Sequence, residues 1–303
     1  MWQFYHYQLE VTSRVLFFFR DVYDPGDPRF AKAKFVVPPQ VLGFLDSVAS
    51  VASNYGVHIP PRSRFIRHPP PLIMRKMYTV DWSPPMQYDI ATVELPDGPA
   101  PFQSWSEPLY NVHLPPASLV RLQRELVLAA QEAKAAGTPT PLPGGRRRSG
   151  STAHIVWLSR RDTAFRHVVG EELIFAALRD EFGADALTVF GVDSSDRAAF
   201  RDADVIAGPH GAAFCNAIFA PPHVGLAILP VCDAAGCPGA QDVYMTYIGA
   251  ALGLDYTLVT DGPLTPSVYR NYTLTTADTA KIQAVVSAVR GLVKAGEAKK
   301  VGR

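Results

Sequence analysis

Asp204-Val205-Ile206-Ala207-Gly208-Pro209-His210-Gly211-Ala212-Ala213 reads as a short strand, a tight turn and the start of a helix. The unbroken apolar run Val205 to Ala207 suits a strand covered on both faces. Gly208 and Gly211 let a ligand approach the backbone closely, Pro209 stiffens the turn, and a helix opening near Ala212 offers unpaired amides to a diphosphate. His210 stands in the middle of that turn, where an imidazole can donate to a phosphate oxygen. A histidine at a strand end also serves simply to satisfy neighbouring backbone groups.

The same pattern recurs on either side. Strands are expected at His154 to Leu158, Leu187 to Phe190, Leu226 to Leu229 and Tyr256 to Val259. They alternate with helices at Glu171 to Phe182, Ser195 to Arg201, Ala212 to Phe219 and Val243 to Leu252. Short apolar strands alternating with helices predict a parallel sheet covered on both faces. A last helix from about Asp278 carries Ile282, Val285, Val286, Val289 and Val293 at helical spacing. Ligands of such sheets bind outside the carboxyl ends of the strands, so the strand-to-helix loops are where the chemistry is to be sought.

A second loop of interest follows His154 to Leu158. Ser159-Arg160-Arg161, with Arg166 further on, leads to a helix opening at Gly170-Glu171-Glu172. Guanidinium forks beside a helix start make an anion site. Equally, Arg160, Arg161 and Arg166 can pair with Asp162, Glu171 and Glu172 on the surface.

Upstream, the chain changes character. Of its 303 residues 27 are Pro, concentrated in the first half as Pro38-Pro39, Pro60-Pro61, Pro69-Pro70-Pro71, Pro84-Pro85 and Pro115-Pro116. Between these breaks lie an expected helix at Gln40 to Tyr55, strands at Met74 to Val80 and Tyr88 to Leu95, and a helix at Ser118 to Ala136. That helix puts Leu119, Leu122 and Leu126 on one face and stops at Gly137. Residues 137–152 combine Gly, Pro and Ser with Arg146 to Arg148, the composition of an exposed connection. The expected organisation is therefore an α/β domain over 1–136, a linker over 137–152 and a Rossmann-like domain over 153–303.

With 29 Lys and Arg against 28 Asp and Glu, the net charge of +1 provides no basic field for nucleic acid, and 48% hydrophobic residues exclude a disordered chain. Cys215, Cys232 and Cys237 lack the ligand spacing of a zinc site, although Cys232 and Cys237 can pair. The apolar run Val15 to Phe19 is too short to span a membrane or form a signal core. Dinucleotide, Walker, nucleophile-elbow and zinc-protease motifs are absent. A triad of Ser159, His210 and Asp193 can be drawn, but spacing does not favour it.

Taken in order, Ser159-Arg160, Arg166 before an acidic helix start, Asp193-Ser194-Ser195, Gly208-Pro209-His210-Gly211-Ala212 with Asn216 downstream, and Tyr247 through Tyr256 resemble glycosyltransferase family 61 over roughly residues 153–293. The resemblance implies a GT-B architecture, two Rossmann-like domains facing a cleft, the first short enough to lack its opening strands. It implies inverting transfer of a xylose- or N-acetylglucosamine-class sugar from a UDP-sugar to a glycan or protein hydroxyl, without an essential metal or other cofactor. Arg160 and Arg166 would hold the diphosphate, and Gly208, His210, Gly211 and Ala212 would line the same pocket. The loop Val192-Asp193-Ser194-Ser195 would lie near the base of the nucleotide, and Ser159, Glu171 and Asn216 would join the donor contacts.

Three positions depart from the family pattern: Gly170 stands where the family usually has Asn, and Asp196-Arg197 where it commonly has a Glu-Gln pair. With the short first half, they make a non-catalytic remnant of the fold the alternative. His68, Asp81 and Glu94 are titratable residues near loop or strand ends, and none is assigned as the base. By the resemblance, and with the acceptor pattern Asn271-Tyr272-Thr273, the expected location is the lumen of the Golgi or endoplasmic reticulum.

Overall fold

A computed structural model of the chain describes residues 9, 11–66, 115–136, 153–161, 163, 167–191, 197–229, 243–259, 272–273 and 278–302. They fall into two units, each with its own core.

The first unit begins with α1 (Thr12–Phe17), which runs into a wider π turn at Phe18–Val22. Its strands are β1 (Phe35–Val36) and β2 (Phe65–Ile66), paired in parallel with Phe35 opposite Phe65. Phe18, Phe19, Tyr23, Phe30, Phe35 and Phe65 stack around that pair, mostly edge to face, the geometry that ring quadrupoles favour. Arg64 fastens the turn before β1, donating Nη1 to the Ala31 carbonyl at 2.9 Å and Nε to that of Ala33 at 2.7 Å.

Helix α2 (Pro39–Val48) starts on a proline, which costs no hydrogen bond at that position. The single helix expected over Gln40 to Tyr55 is in fact two pieces, because α2 ends at Val48 and a separate 3-10 turn, Ala52–Tyr55, closes on Gly56. The left-handed φ of 71° at Gly56 provides that stop. Helix α3 (Ala117–Ala136) buries Leu119, Leu122 and Leu126 as their spacing predicts. The expected strands at 74–80 and 88–95 and the linker lie outside the described residues.

The second unit is built on a five-stranded parallel sheet. Its strands are β3 (Ile155–Leu158), β5 (Leu187–Phe190), β6 (Val205–Pro209), β7 (Gly225–Leu229) and β8 (Asp255–Leu258). β4 (Val168–Val169) pairs separately with β9 (Tyr272–Thr273). Between strands come α4 (Glu171–Phe182), 3-10 helices Arg197–Phe200 and Ala212–Phe219, and α5 (Val243–Leu252), with α6 (Thr279–Val301) last. Every residue of β3, β6 and β7 is buried, as their continuous apolar runs require.

One face of the sheet, with Ile155, Trp157, Val189 and Ala207, packs on Ile174, Phe175 and Leu178 of α4 and on Val285, Val286 and Val289 of α6. On the other face, the Phe190 ring meets Phe200 at 4.8 Å. Helices on both faces of a parallel sheet make this unit a Rossmann-like α/β fold. The order across the sheet is β5-β3-β6-β7-β8. From β3 the chain leaves toward one edge, and from β6 toward the other. The carboxyl ends of β3 and β6 therefore form the switch point, where such sheets bind ligands.

At the opposite end of the sheet, Asp204 joins three elements. It accepts from the His154 amide at 2.8 Å, from Lys300 of α6, and lies 3.4 Å from His223 Nε2. Burial works to raise its pKa, but the Lys300 and His154 hydrogen bonds and the charges of Lys300 and His223 outweigh it and hold the carboxyl below its usual range. A depressed folded-state pKa adds stability that is present at neutral pH and is lost as pH falls through that value. Asp204→Asn is expected to cost about 1 kcal/mol at pH 7. In urea denaturation across pH, the gap from wild type should close below the ordinary carboxylate range.

Two glycines of α6 provide a second check. A Cβ on Gly291 would meet nothing within 4 Å, whereas one on Gly296 would lie 2.9 Å from the His223 carbonyl oxygen. Gly291→Ala should stabilise the chain by about 0.5–1 kcal/mol through helix propensity. Gly296→Ala should destabilise it by about 1–3 kcal/mol; chemical denaturation of the pair reads both signs.

Candidate functional site

Because β3 and β6 are neighbours, with Trp157 paired to Ala207, the loops that follow them emerge side by side. The approach is closest at Gly208, whose φ is 150°. A Cβ there would stand 2.9 Å from the Leu158 carbonyl oxygen and 3.0 Å from Leu158 Cβ, so no larger residue fits. The ladder between β6 and β7 then runs one step further, the His210 amide donating to the Leu229 carbonyl at 2.9 Å. This holds the turn against the sheet.

Gly211 is extended, with φ 178°, a conformation open to any residue. What a larger residue would displace is Arg160. A Cβ on Gly211 would collide with Arg160 Nη1 and come within 3.4 Å of its Cζ. The guanidinium thus lies on the Gly211 backbone, and Arg160 and His210 are buried to 8% and 6% exposure. The two loops singled out in the sequence meet here. Ala212 opens the 3-10 helix with no side chain capping it, which leaves its first amides without partners inside the helix.

Ser159 and Arg161 turn the other way. Glu171, 1% exposed at the first position of α4, accepts from Trp157 Nε1 at 2.9 Å, from Ser159 Oγ at 2.8 Å and from Arg161 Nε. Arg161 also reaches Glu172 and lies 5.6 Å over the Phe175 ring. Of the two uses open to the arginines, Arg161 therefore makes the carboxylate pairs and Arg160 goes to the glycine turn. Ser159 and Glu171, expected among the donor contacts, are engaged with each other. Thr163 steadies the loop, its Oγ donating to the Arg160 carbonyl at 2.7 Å.

Asn216 is 2% exposed; its Nδ2 donates to the Ala213 carbonyl at 3.0 Å, and its Oδ1 has no partner among the described residues. Arg166, Val192, Asp193 and Ser194 lie outside the described residues, as do His68, Asp81, Glu94, Asn271, Cys232 and Cys237. Among the described residues no group of three or more His, Cys, Asp or Glu is placed to hold a metal ion. Sequence reasoning missed the bond from Trp157 to Glu171 and the division of labour between Arg160 and Arg161. The signal was available: strand alternation carried past Leu158 puts 157, 159 and 161 on one side and 158 and 160 on the other.

The Leu158 contact gives a direct test. Gly208→Ala should lower stability by about 2–3 kcal/mol, from strain and collision with β3, as measured by denaturant midpoint at unchanged m-value.

The family model for Glycosyltransferase 61 matches residues 4–227. It begins far ahead of the resemblance over about 153–293 and ends at 227, so Tyr247 through Tyr256 lie outside it. The match reaches back through the first unit and includes both loops of the switch point. No curated protein matches the chain. With most of its length under the family model and the Ser-Arg and Gly-Pro-His-Gly loops joined at one sheet edge, the chain is a glycosyltransferase belonging to glycosyltransferase family 61.

Proposed function

We propose that the second unit binds a UDP-sugar through its diphosphate and that the enzyme transfers the sugar with inversion to a glycan or protein hydroxyl, without a metal ion. The observation that carries this reading is the Arg160 guanidinium lying on Gly211 at the sheet's switch point. In such a transfer the acceptor hydroxyl gives its proton to a general base, its oxygen bonds to the anomeric carbon as the bond to the diphosphate breaks, and negative charge collects on the departing phosphate. A forked guanidinium, an imidazole and free helix amides supply the positive field that this charge needs. Arg160 would hold the diphosphate, His210 would donate to the leaving oxygen, and the Gly211 and Ala212 backbone would line the pocket, with Arg166 a further cation and Val192, Asp193 and Ser194 near the uracil ring.

The family supports a GT-B arrangement, with acceptor recognition in the first unit. The sugar is of the xylose or N-acetylglucosamine class, and the donor is substrate rather than cofactor. A secretory-lumen location follows from the same source; no helix among the described residues is long and apolar enough to cross a membrane. The departure at Gly170 does not argue for a remnant. Gly170 has a left-handed φ of 82°, which glycine adopts freely and asparagine more readily than most residues, so the exchange preserves the backbone before Glu171.

Calorimetry with UDP in chelator should show saturable binding. Arg160→Ala and His210→Ala should weaken it about 10- to 100-fold. Gly211→Ala should do the same by displacing Arg160, with little loss of stability. Turnover with UDP-xylose and UDP-N-acetylglucosamine over a panel of sugar acceptors then identifies the donor. A folded chain that fails to bind UDP overturns the reading.

A further inference from the structure

Trp157, Ser159 and Arg161 lie on one side of β3 and its extension, and all three donate to Glu171. Leu158 and Arg160 lie on the other side, where Leu158 meets Gly208 and Arg160 meets Gly211. The chain past β3 is thus gripped through every second residue. A segment held in this way cannot rotate about its own axis, and the direction of the residues between is set. We propose that Glu171 is a positioning residue for the diphosphate site, one that aims Arg160 into the glycine turn without touching the ligand itself.

The inference rests on the donor reading above and gives Glu171 a different part from the donor contact that the family resemblance implies. Its chemistry suits the part. An ionised carboxylate only accepts, so it satisfies an indole N–H, a hydroxyl and a guanidinium together. Glutamine of the same size would turn an NH2 toward one of these donors and release it. Arg161, which also pairs with Glu172, balances the buried charge on this side, while Arg160 lies against Gly211 on the other.

The test is a double-mutant cycle read by UDP calorimetry in chelator, on the full chain, with folding of each variant confirmed by its melting transition. E171Q should weaken UDP binding about tenfold and S159A about threefold. In an R160A background E171Q should weaken it no further, since both changes act through one guanidinium; a purely structural role would not produce that cancellation. UDP binding that R160A weakens while E171Q and S159A leave it unchanged overturns this inference and keeps the donor reading. Losses that add in the double variant do the same. Absence of UDP binding by folded wild type overturns the donor reading and this inference with it. Should E171Q fail to fold, S159A and S159A/R160A complete the same cycle.

Discussion

The second unit depends on one close approach, that of β6 to β3 at Gly208 and Leu158. Backbones this near leave no room for a side chain between them. Because the two strands feed connections toward opposite edges of the sheet, the contact lies beneath the one gap where neighbouring loops diverge. Strand adjacency and a missing Cβ therefore create the site before any charged residue is considered.

Charge is then sorted by the pleat. Successive side chains of a strand point to opposite faces, and beyond β3 the contacts of Ser159, Arg160 and Arg161 alternate in the same way. The buried carboxylate of Glu171 collects donors from one face; burying it without them would cost several kcal/mol. Arg161 neutralises that side, with Phe175 beneath it and Arg179 5.9 Å over the same ring. Arg160, on the opposite face, sits beside a turn whose amides carry partial positive charge.

Much of this was legible in the linear chain. α4, β5 and α5 fall on the bounds that apolar periodicity predicts, β6 starts where expected but runs on through Gly208 to Pro209, and α6 starts one residue late. These elements obey local rules, being short apolar runs between breakers and helices opened or closed by glycines at positive φ, as at Gly170 and Gly183. The first unit was harder. The break of its helix at Val48 is marked by no glycine or proline, and the left-handed Gly56 closes only the separate 3-10 turn that follows. Its aromatic cluster gathers residues from distant turns that no periodicity links.

Residue types and local order were decided by the amino-acid sequence alone: a parallel α/β unit, two loops suited to an anion, and the Gly-Pro-His-Gly turn of the family. It left the partners of Arg160 and Arg161 open, since both follow the same strand and both can pair with the acids of α4. Only tertiary structure assigned them. Which arginine meets Glu171 and which meets Gly211 depends on β3 lying between α4 on one face and the β6 turn at its edge, a relation between segments far apart in the chain. Spacing along a polymer encodes period and propensity; the partner across the sheet is set by packing.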